Sequence, residues 1–290
     1  MPPRTMMLQV HSTLSLAAVL TIVLAACGSQ AGQREIGAAM VVPVRPAPVQ
    51  SQEVAQPGEV PGSPPTSRPP AGSIYRSGWH GYDASLPQCK RGRRPQAADF
   101  SIIGVNGGRV FTTNRCIGLL WRAGITPRAL YLNSGYDPRD YGRITSDCRD
   151  LSHRLEAAAA LRGAYALGCS AIVYSLRALK AARIGTPSMW WIDVELANAW
   201  DSENPNLNRF ALQGQIDQLI FIGKPVGVYS AARDWAAITG NWAAGVDANW
   251  VAGTTTVACA GPGFSGDPVW LVQETMGWLQ PSGYDSDRGC

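Results

Sequence analysis

Charged side chains are scarce in this 290-residue chain, at 16 %, and only three lysines and three histidines are present. The net charge of +4 is too small to indicate a nucleic-acid partner, and no Lys/Arg cluster lies among interleaved aromatic residues. The sequence has no G-x-S-x-G elbow, P-loop, dinucleotide-binding glycine pattern or C-x-x-C zinc spacing. These absences argue against serine-hydrolase, nucleotide and zinc chemistry, so we expect no cofactor and no metal.

The apolar run near the start is too short to cross a membrane. Residues 14–26 form a mainly apolar run of 13 residues behind Arg4, whereas a spanning helix needs about 20. Such a run is typical of the h-region of a signal peptide. It ends in Leu24-Ala25-Ala26-Cys27, which resembles a bacterial lipobox, where the cysteine is lipidated. We predict a lipoprotein signal peptide over 1–26 and a lipid-anchored extracytoplasmic protein that faces the cell wall; unmodified cleavage after Ala26 is the alternative.

Aromatic residues are absent from residues 28–74, which contain nine prolines. A segment of this composition buries too little apolar surface to offset its ordering entropy. We therefore predict that residues 27–74, beginning with the lipidated Cys27, form a disordered tether. All ten tryptophans follow it, which places the folded domain at 75–290. A monomer is expected.

Seven cysteines are present, and lipidation of Cys27 leaves six. An even number is typical of disulfides in an oxidising compartment. Six cysteines allow 15 pairings, and the pairing of sequence neighbours predicts the bridges Cys89–Cys116, Cys148–Cys169 and Cys259–Cys290.

Short apolar runs alternate with helical patterns along the domain. Strands are predicted at 79–83, 100–105, 129–133, 189–195, 225–229, 248–252 and 269–273. Helices are predicted at 113–123 and 207–222, and two more within 150–183, with the break near Gly163 or Gly168. The alternation indicates parallel βαβ units of the α/β class. A compact barrel and an open doubly wound sheet both fit this pattern.

The strongest local signal is the segment Trp190–Glu195. Because strand side chains alternate between faces, Met189, Trp191, Asp193 and Glu195 share one face, and Trp190, Ile192, Val194 and Leu196 share the other. The first face ends in two carboxylates at the carboxyl end of the strand, where parallel sheets place their sites. Two acids so close cannot both ionise freely, and such a pair can divide the roles of acid and stabiliser.

Other acids end neighbouring strands. Asp83 ends the first predicted strand, and Asp285 and Asp287 follow the last one. If the sheet closes, these groups converge on Asp193 and Glu195. An acid cluster suits glycoside hydrolysis and also a divalent metal, as in a phosphodiesterase. The abundant tryptophan favours sugar, with Trp191 and Trp250 as the first stacking candidates; the alternative is a strand end with two ordinary surface acids.

Several segments, in this order, resemble the family 25 glycoside hydrolases, bacterial lysozymes that cut peptidoglycan. More closely, they resemble the glycoside-hydrolase-like domains of secreted actinobacterial lipoproteins. The matching segments are Gly81–Ser85, Phe100–Gly108, Trp191–Glu195, Gly227–Ser230 with Trp235, Gln273, and Asp285 with Asp287. The resemblance implies an irregular (β/α)8 TIM-like barrel and a cell-wall polysaccharide as substrate.

The resemblance also implies residue roles. Glu195 would be the general acid, Asp193 would stabilise positive charge, and Asp83 and Asp285 would orient the substrate. Polar contacts to sugar would come from Asn106, Asn133, Tyr229 and Gln273.

Three strand ends depart from the family pattern: Asn106-Gly107-Gly108, Tyr131-Leu132-Asn133 and Gln273-Glu274. These departures leave open which glycan is the substrate. They also leave open a non-catalytic barrel that binds wall polysaccharide and tethers the membrane to the wall.

Overall fold

The computed structural model describes residues 72–90, 97–274 and 283–290. Within them, eight strands close into a barrel in chain order. The strands are β1 His80–Ala84, β2 Phe100–Gly104, β3 Arg128–Asn133, β4 Trp190–Asp193, β5 Val226–Ser230, β6 Ala248–Thr254, β7 Val269–Glu274 and β8 Asp285–Gly289. The predicted signal peptide, Cys27 and residues 28–71 of the predicted tether lie outside the described residues.

The barrel confirms the α/β class and replaces the open sheet that the sequence pattern also allowed. Strands β1 to β7 pair in parallel, but β8 runs antiparallel to both β7 and β1. The prediction that Asp285 and Asp287 follow the last strand is therefore wrong, because they lie within β8. Its sequence, DSDRG, has no apolar alternation that would have identified a strand. Reversal of β8 places Asp285 directly opposite Asp83.

The alternation predicted for the segment around β4 holds as far as Val194. Met189 and Trp191 pack inside the barrel with Phe100, while Ile192 and Val194 pack against the helices. Leu196 was expected to join the helix-facing set, but it is 49 % exposed, because β4 ends three residues earlier.

The described residues form five α-helices around the barrel: α1 Ile117–Ala123, α2 Ser146–Ser152, α3 Ala159–Ala181, α4 Pro205–Phe221 and α5 Ala232–Thr239. The predicted helix break near Gly163 or Gly168 is wrong, since α3 runs through both glycines and the break lies at 153–158. Gly168 instead allows close packing: a Cβ there would lie 1.8 Å from the backbone oxygen of Ala211 on α4. By length and composition α3 could cross a membrane, but it packs here as a core helix.

The three predicted disulfides are confirmed. Cys89–Cys116 joins the turn after β1 to the start of α1, and Cys148–Cys169 joins α2 to α3. Cys259–Cys290 joins the turn after β6 to the residue that follows β8. Each bridge therefore fastens a short helix or the last strand to a neighbouring segment.

Candidate active site

A cavity of about 330 Å³ opens where the carboxyl ends of the parallel strands meet the start of β8. It is lined by four acids and five other residues from seven strands and their ends: Asp83, Asp193, Glu195 and Asp285, with Tyr131, Asn133, Tyr229, Trp250 and Gln273. The structure thus brings together the four acids that the sequence singled out. None of these nine described residues is a lysine, arginine or histidine, so no cation from this set neutralises the acids.

Asp83 is oriented by a chain of hydrogen bonds. The phenol of Tyr229 donates to Gln273 Oε1 at 2.7 Å, and Gln273 Nε2 donates to Asp83 Oδ2 at 3.0 Å. With Asp83 ionised this polarity is fixed, because a carboxylate only accepts, so the amide nitrogen donates to it and the amide oxygen accepts from Tyr229. Tyr229 and Gln273 line the cavity and also hold one of its acids in place.

Asp193 is buried and held from β3. The side-chain amide of Asn133 donates to its Oδ2 at 2.5 Å, and the Ser134 hydroxyl donates to its backbone carbonyl at 2.5 Å. Its Oδ1 receives no hydrogen bond from any amide, hydroxyl or ring N–H of the described residues. The neighbouring Glu195 carboxyl raises the pKa of Asp193, and the side-chain hydrogen bond with Asp193 lowers that of Glu195.

Burial raises the pKa of all four acids of the cavity, and the charges of neighbouring acids add to the rise for Asp83, Asp193 and Glu195. Burial, with the charges of Asp285 and Glu195, raises the pKa of Asp83 to about 8, and the Gln273 hydrogen bond opposes the rise. Burial raises the pKa of Asp193 well above its usual range, and the neighbouring Glu195 and Asp83 add to it. Burial also raises the pKa of Asp285. The cluster therefore keeps a proton at a pH where an exposed carboxyl would have lost it.

Glu195 is the member of the pair that faces outward. Burial raises its pKa, the charges of Asp234 and Asp285 raise it further, and the hydrogen bond with Asp193 lowers it. Its side chain is only partly buried, whereas Asp193 is 3 % exposed. Of the two carboxyls, Glu195 is therefore the one that can reach a bound molecule. Among the described residues, no group of three or more His, Cys, Asp or Glu is arranged to hold a metal ion.

Two sequence-predicted sugar contacts lie away from the cavity. Trp191 is fully buried in the barrel interior, where its indole donates to the Tyr75 hydroxyl. Asn106 is 2 % exposed, and its amide bonds both the carbonyl and the N–H of Asn133. Neither residue lines the cavity, because Trp191 packs in the barrel core and Asn106, two residues past the end of β2, holds the backbone of Asn133. Trp250 does line the cavity.

Two residues near the site were missed from the sequence. Tyr131 lines the cavity two residues before Asn133 on β3, so the same alternation that selects Asn133 would have selected it. Asp234 lies on α5 and acts on Glu195 from outside the cavity. No sequence pattern marks it, because its contact depends on how α5 follows β5.

Comparison with known proteins found a family model that matches part of the chain. Residues 167–254 match the family model described as lysozyme-like protein 1. The matched stretch is less than a third of the chain. It covers β4, Asp193 and Glu195. No curated protein matches the chain.

Solved structures similar to this chain include an autolysin, a lysozyme and the catalytic domain of an endolysin. The modular autolysin LytC from Streptococcus pneumoniae is 12 % identical with a TM-score of 0.46, over 72 % of this chain and 46 % of LytC. This chain thus spans about half of LytC. A family GH25 lysozyme from Aspergillus fumigatus is 12 % identical with a TM-score of 0.43, over 73 % and 93 % of the two chains. The catalytic domain of endolysin ply40 from bacteriophage P40 of Listeria monocytogenes is 16 % identical with a TM-score of 0.41, over 76 % and 95 %.

Proposed function

We propose that this protein is a glycoside hydrolase that cuts cell-envelope glycan, either peptidoglycan or a related wall polysaccharide. One observation carries the proposal: the carboxyls of Asp193 and Glu195 line a cavity that also holds Asp83 and Asp285. Burial raises the pKa of both Asp193 and Glu195. The lysozyme-like family match supports the same reaction class. The cavity volume of about 330 Å³ lies within the range of ligand pockets, roughly 300–1,000 Å³.

In the proposed reaction, Glu195 donates its proton to the glycosidic oxygen as the bond to the sugar breaks. The ring carbon then gains positive charge, as in other glycosidases. Asp193, in its carboxylate form, stabilises that charge. Water then adds to the ring carbon, and the proton that the water releases goes to Glu195, which restores the acid. Asp83 and Asp285 orient the sugar. The aromatic faces of Tyr131, Tyr229 and Trp250 give it apolar walls.

The location follows from the same proposal. We infer that the domain works outside the cytoplasm, joined to the membrane through a lipid on Cys27 and a tether that reaches the wall. The three disulfides support an oxidising compartment. Wall polysaccharide and the membrane are then the two partners.

The deciding experiment measures new reducing ends released from purified cell-envelope glycans by the mature chain and its Glu195→Gln variant. We expect release by the unmodified chain and a loss of at least 100-fold in the variant, the lower range for removal of a general acid. Activity should fall as pH rises through the pKa of Glu195. Because that pKa is raised, the fall should come at higher pH than for an ordinary glutamate.

The matched control is Glu156→Gln, the same change at an exposed carboxyl between α2 and α3. This variant should cut glycan at the same rate as the unmodified chain. If the unmodified chain releases no ends but stays bound to one of the glycans, the protein is a glycan-binding barrel rather than an enzyme. If Glu195→Gln retains full cutting activity, Glu195 is not the acid.

A further inference from the structure

The backbone at Glu195 is not fixed by the barrel. Strand β4 ends at Asp193, and the bond from Val194 N–H to the Tyr229 carbonyl, at 2.9 Å, continues the ladder by one residue. Glu195 follows directly after this point. Since a general acid must be held within a fraction of an ångström of its productive position, some other contact has to supply the constraint.

The peptide that joins Glu195 to Leu196 is held from both sides. Its carbonyl oxygen accepts from the Trp200 indole at 2.8 Å and from the Asn198 N–H at 3.0 Å. Its N–H, that of Leu196, donates to Asp234 Oδ2 at 3.1 Å. The indole comes from the loop before α4, and the carboxylate comes from the first turn of α5. Two separate segments therefore fix one peptide plane.

We propose that Asp234 is a positioning residue for Glu195: it fixes the 195–196 peptide through the Leu196 N–H and sets a negative charge beside the Glu195 carboxyl. The inference rests on the proposed function, in which Glu195 is the acid. Asp234 is not among the residues that line the cavity, so it acts through Glu195 and not on the substrate.

The charges around Glu195 come from several elements. Asp193 lies on β4, Asp83 on β1, Asp285 on β8 and the Tyr229 phenol on β5. Burial is the main cause that raises the pKa of Glu195, and Asp234 has the largest effect among the charges that raise it further. Arg233 pairs with Asp234 at 3.5 Å, but its side chain is 88 % exposed, so water weakens its effect.

A carboxylate in the first turn of a helix also stabilises that helix through its dipole, so loss of stability alone would not establish the role. The test is a titration of Glu195 in the mature chain, followed by ¹³C NMR of labelled glutamate carboxyls. Glu195→Gln identifies the Glu195 signal. Asp234→Asn keeps an oxygen that can accept from Leu196 N–H but removes the charge, and Asp150→Asn removes a charge from an exposed position on α2.

We expect Asp234→Asn to lower the pKa of Glu195 by roughly 0.5–1 unit and Asp150→Asn to leave it unchanged. Arg233→Gln, which keeps the Leu196 contact, should raise it. In the pH profile of glycan cutting by Asp234→Asn, the loss of activity at high pH should begin at a lower pH. The plateau of activity at low pH should be unchanged. Asp234→Ala, which also frees the peptide, should lower that plateau by about tenfold, as expected for a hydrogen bond to a charged group.

An unchanged Glu195 titration in both folded Asp234→Asn and Arg233→Gln would overturn the proposal. So would an Asp234→Ala enzyme with a normal plateau and pH profile. If no glycan is cut even by the unmodified chain, the proposed function fails, and the NMR titration still decides whether Asp234 controls Glu195.

Discussion

The residues that line the cavity form hydrogen bonds with one another as well as facing the space for a ligand. The acids are held by amides and a phenol: Asn133 bonds Asp193, while Gln273 bonds Asp83 and is itself bonded by Tyr229. A buried carboxyl with a single defined donor keeps one orientation, whereas a free one would turn toward its neighbours. Orientation of the acids therefore depends on side chains that are not themselves acidic.

Removal of one phenolic oxygen tests this dependence. Tyr229→Phe keeps the ring but leaves Gln273 Oε1 without its donor, so the amide that orients Asp83 can rotate. We expect kcat/KM for glycan cutting to fall about tenfold, because loss of such a bond costs about 1–1.5 kcal/mol. Steady-state release of reducing ends measures the change.

The control is Tyr174→Phe, the same change on α3, where the ring packs on Phe111 away from the cavity. It should leave the rate unaltered. An unaltered rate in Tyr229→Phe as well would show that the chain of hydrogen bonds does not orient Asp83.

At the scale of elements, the contact of α3 with α4 depends on two glycines. A Cβ on Gly168 would lie 1.8 Å from the Ala211 carbonyl oxygen, and one on Gly214 would lie 2.1 Å from that of Tyr165. Each glycine thus lets one helix approach the backbone of the other. This contact lies behind β4, because residues of both helices belong to the same buried cluster as Ile192 and Val194.

We expect Gly168→Ala to separate the two helices and to destabilise the domain by about 3 kcal/mol, at the upper end of overpacking effects. At this domain size the midpoint of thermal unfolding should fall by about 6–12 °C. Gly163→Ala is the control on the same helix, since its nearest neighbour is the tip of Tyr141 at 3.2 Å. Equal midpoints for the two variants would contradict the close-packing role of Gly168.

For the whole molecule, the buried acids set how stability depends on pH. Asp287 is 0 % exposed, and neither of its oxygens has a hydrogen-bond partner of normal geometry among the described residues. Burial raises the pKa of Asp287 well above its usual range, the charges of Asp83 and Asp285 add to this, and the Trp250 indole opposes it. The folded state therefore binds a proton that the unfolded chain releases.

The sign of the effect follows from linkage. Below about pH 4, the ordinary pKa of aspartate, Asp287 is protonated in both the folded and the unfolded state. Its ionisation then does not affect the free energy of unfolding. As pH rises, only the unfolded chain loses the proton, so the free energy of unfolding decreases up to the folded pKa. Asp287→Asn should therefore raise the unfolding midpoint at pH 7 by a few degrees and reduce its dependence on pH above about 4.

Thermal unfolding at several pH values measures this. Asp150→Asn, the exposed control, should keep the original slope. The gain in unfolding midpoint from Asp287→Asn should be larger at pH 7 than at pH 4. An equal gain at both pH values would show that the buried carboxyl does not control this dependence.

The sequence by itself determined the elements with strong local patterns. Apolar alternation identified seven strands, and it placed Asp193 and Glu195 on one side and Ile192 and Val194 on the other, because a strand side chain has only two directions. Spacing of the cysteines along the chain gave all three disulfides. The order of motifs gave the lysozyme-like resemblance and, with it, the expectation of a closed barrel.

Only the tertiary structure decided what depends on residues far apart in the chain. The polar strand β8 has no local signal, yet its antiparallel position between β7 and β1 sets Asp285 opposite Asp83. The assignment of Trp191 to the core and Trp250 to the cavity wall depends on height along the barrel. The contact of Asp234 with the backbone beside Glu195 depends on the placement of α5, since no pattern in one segment specifies the distance to another.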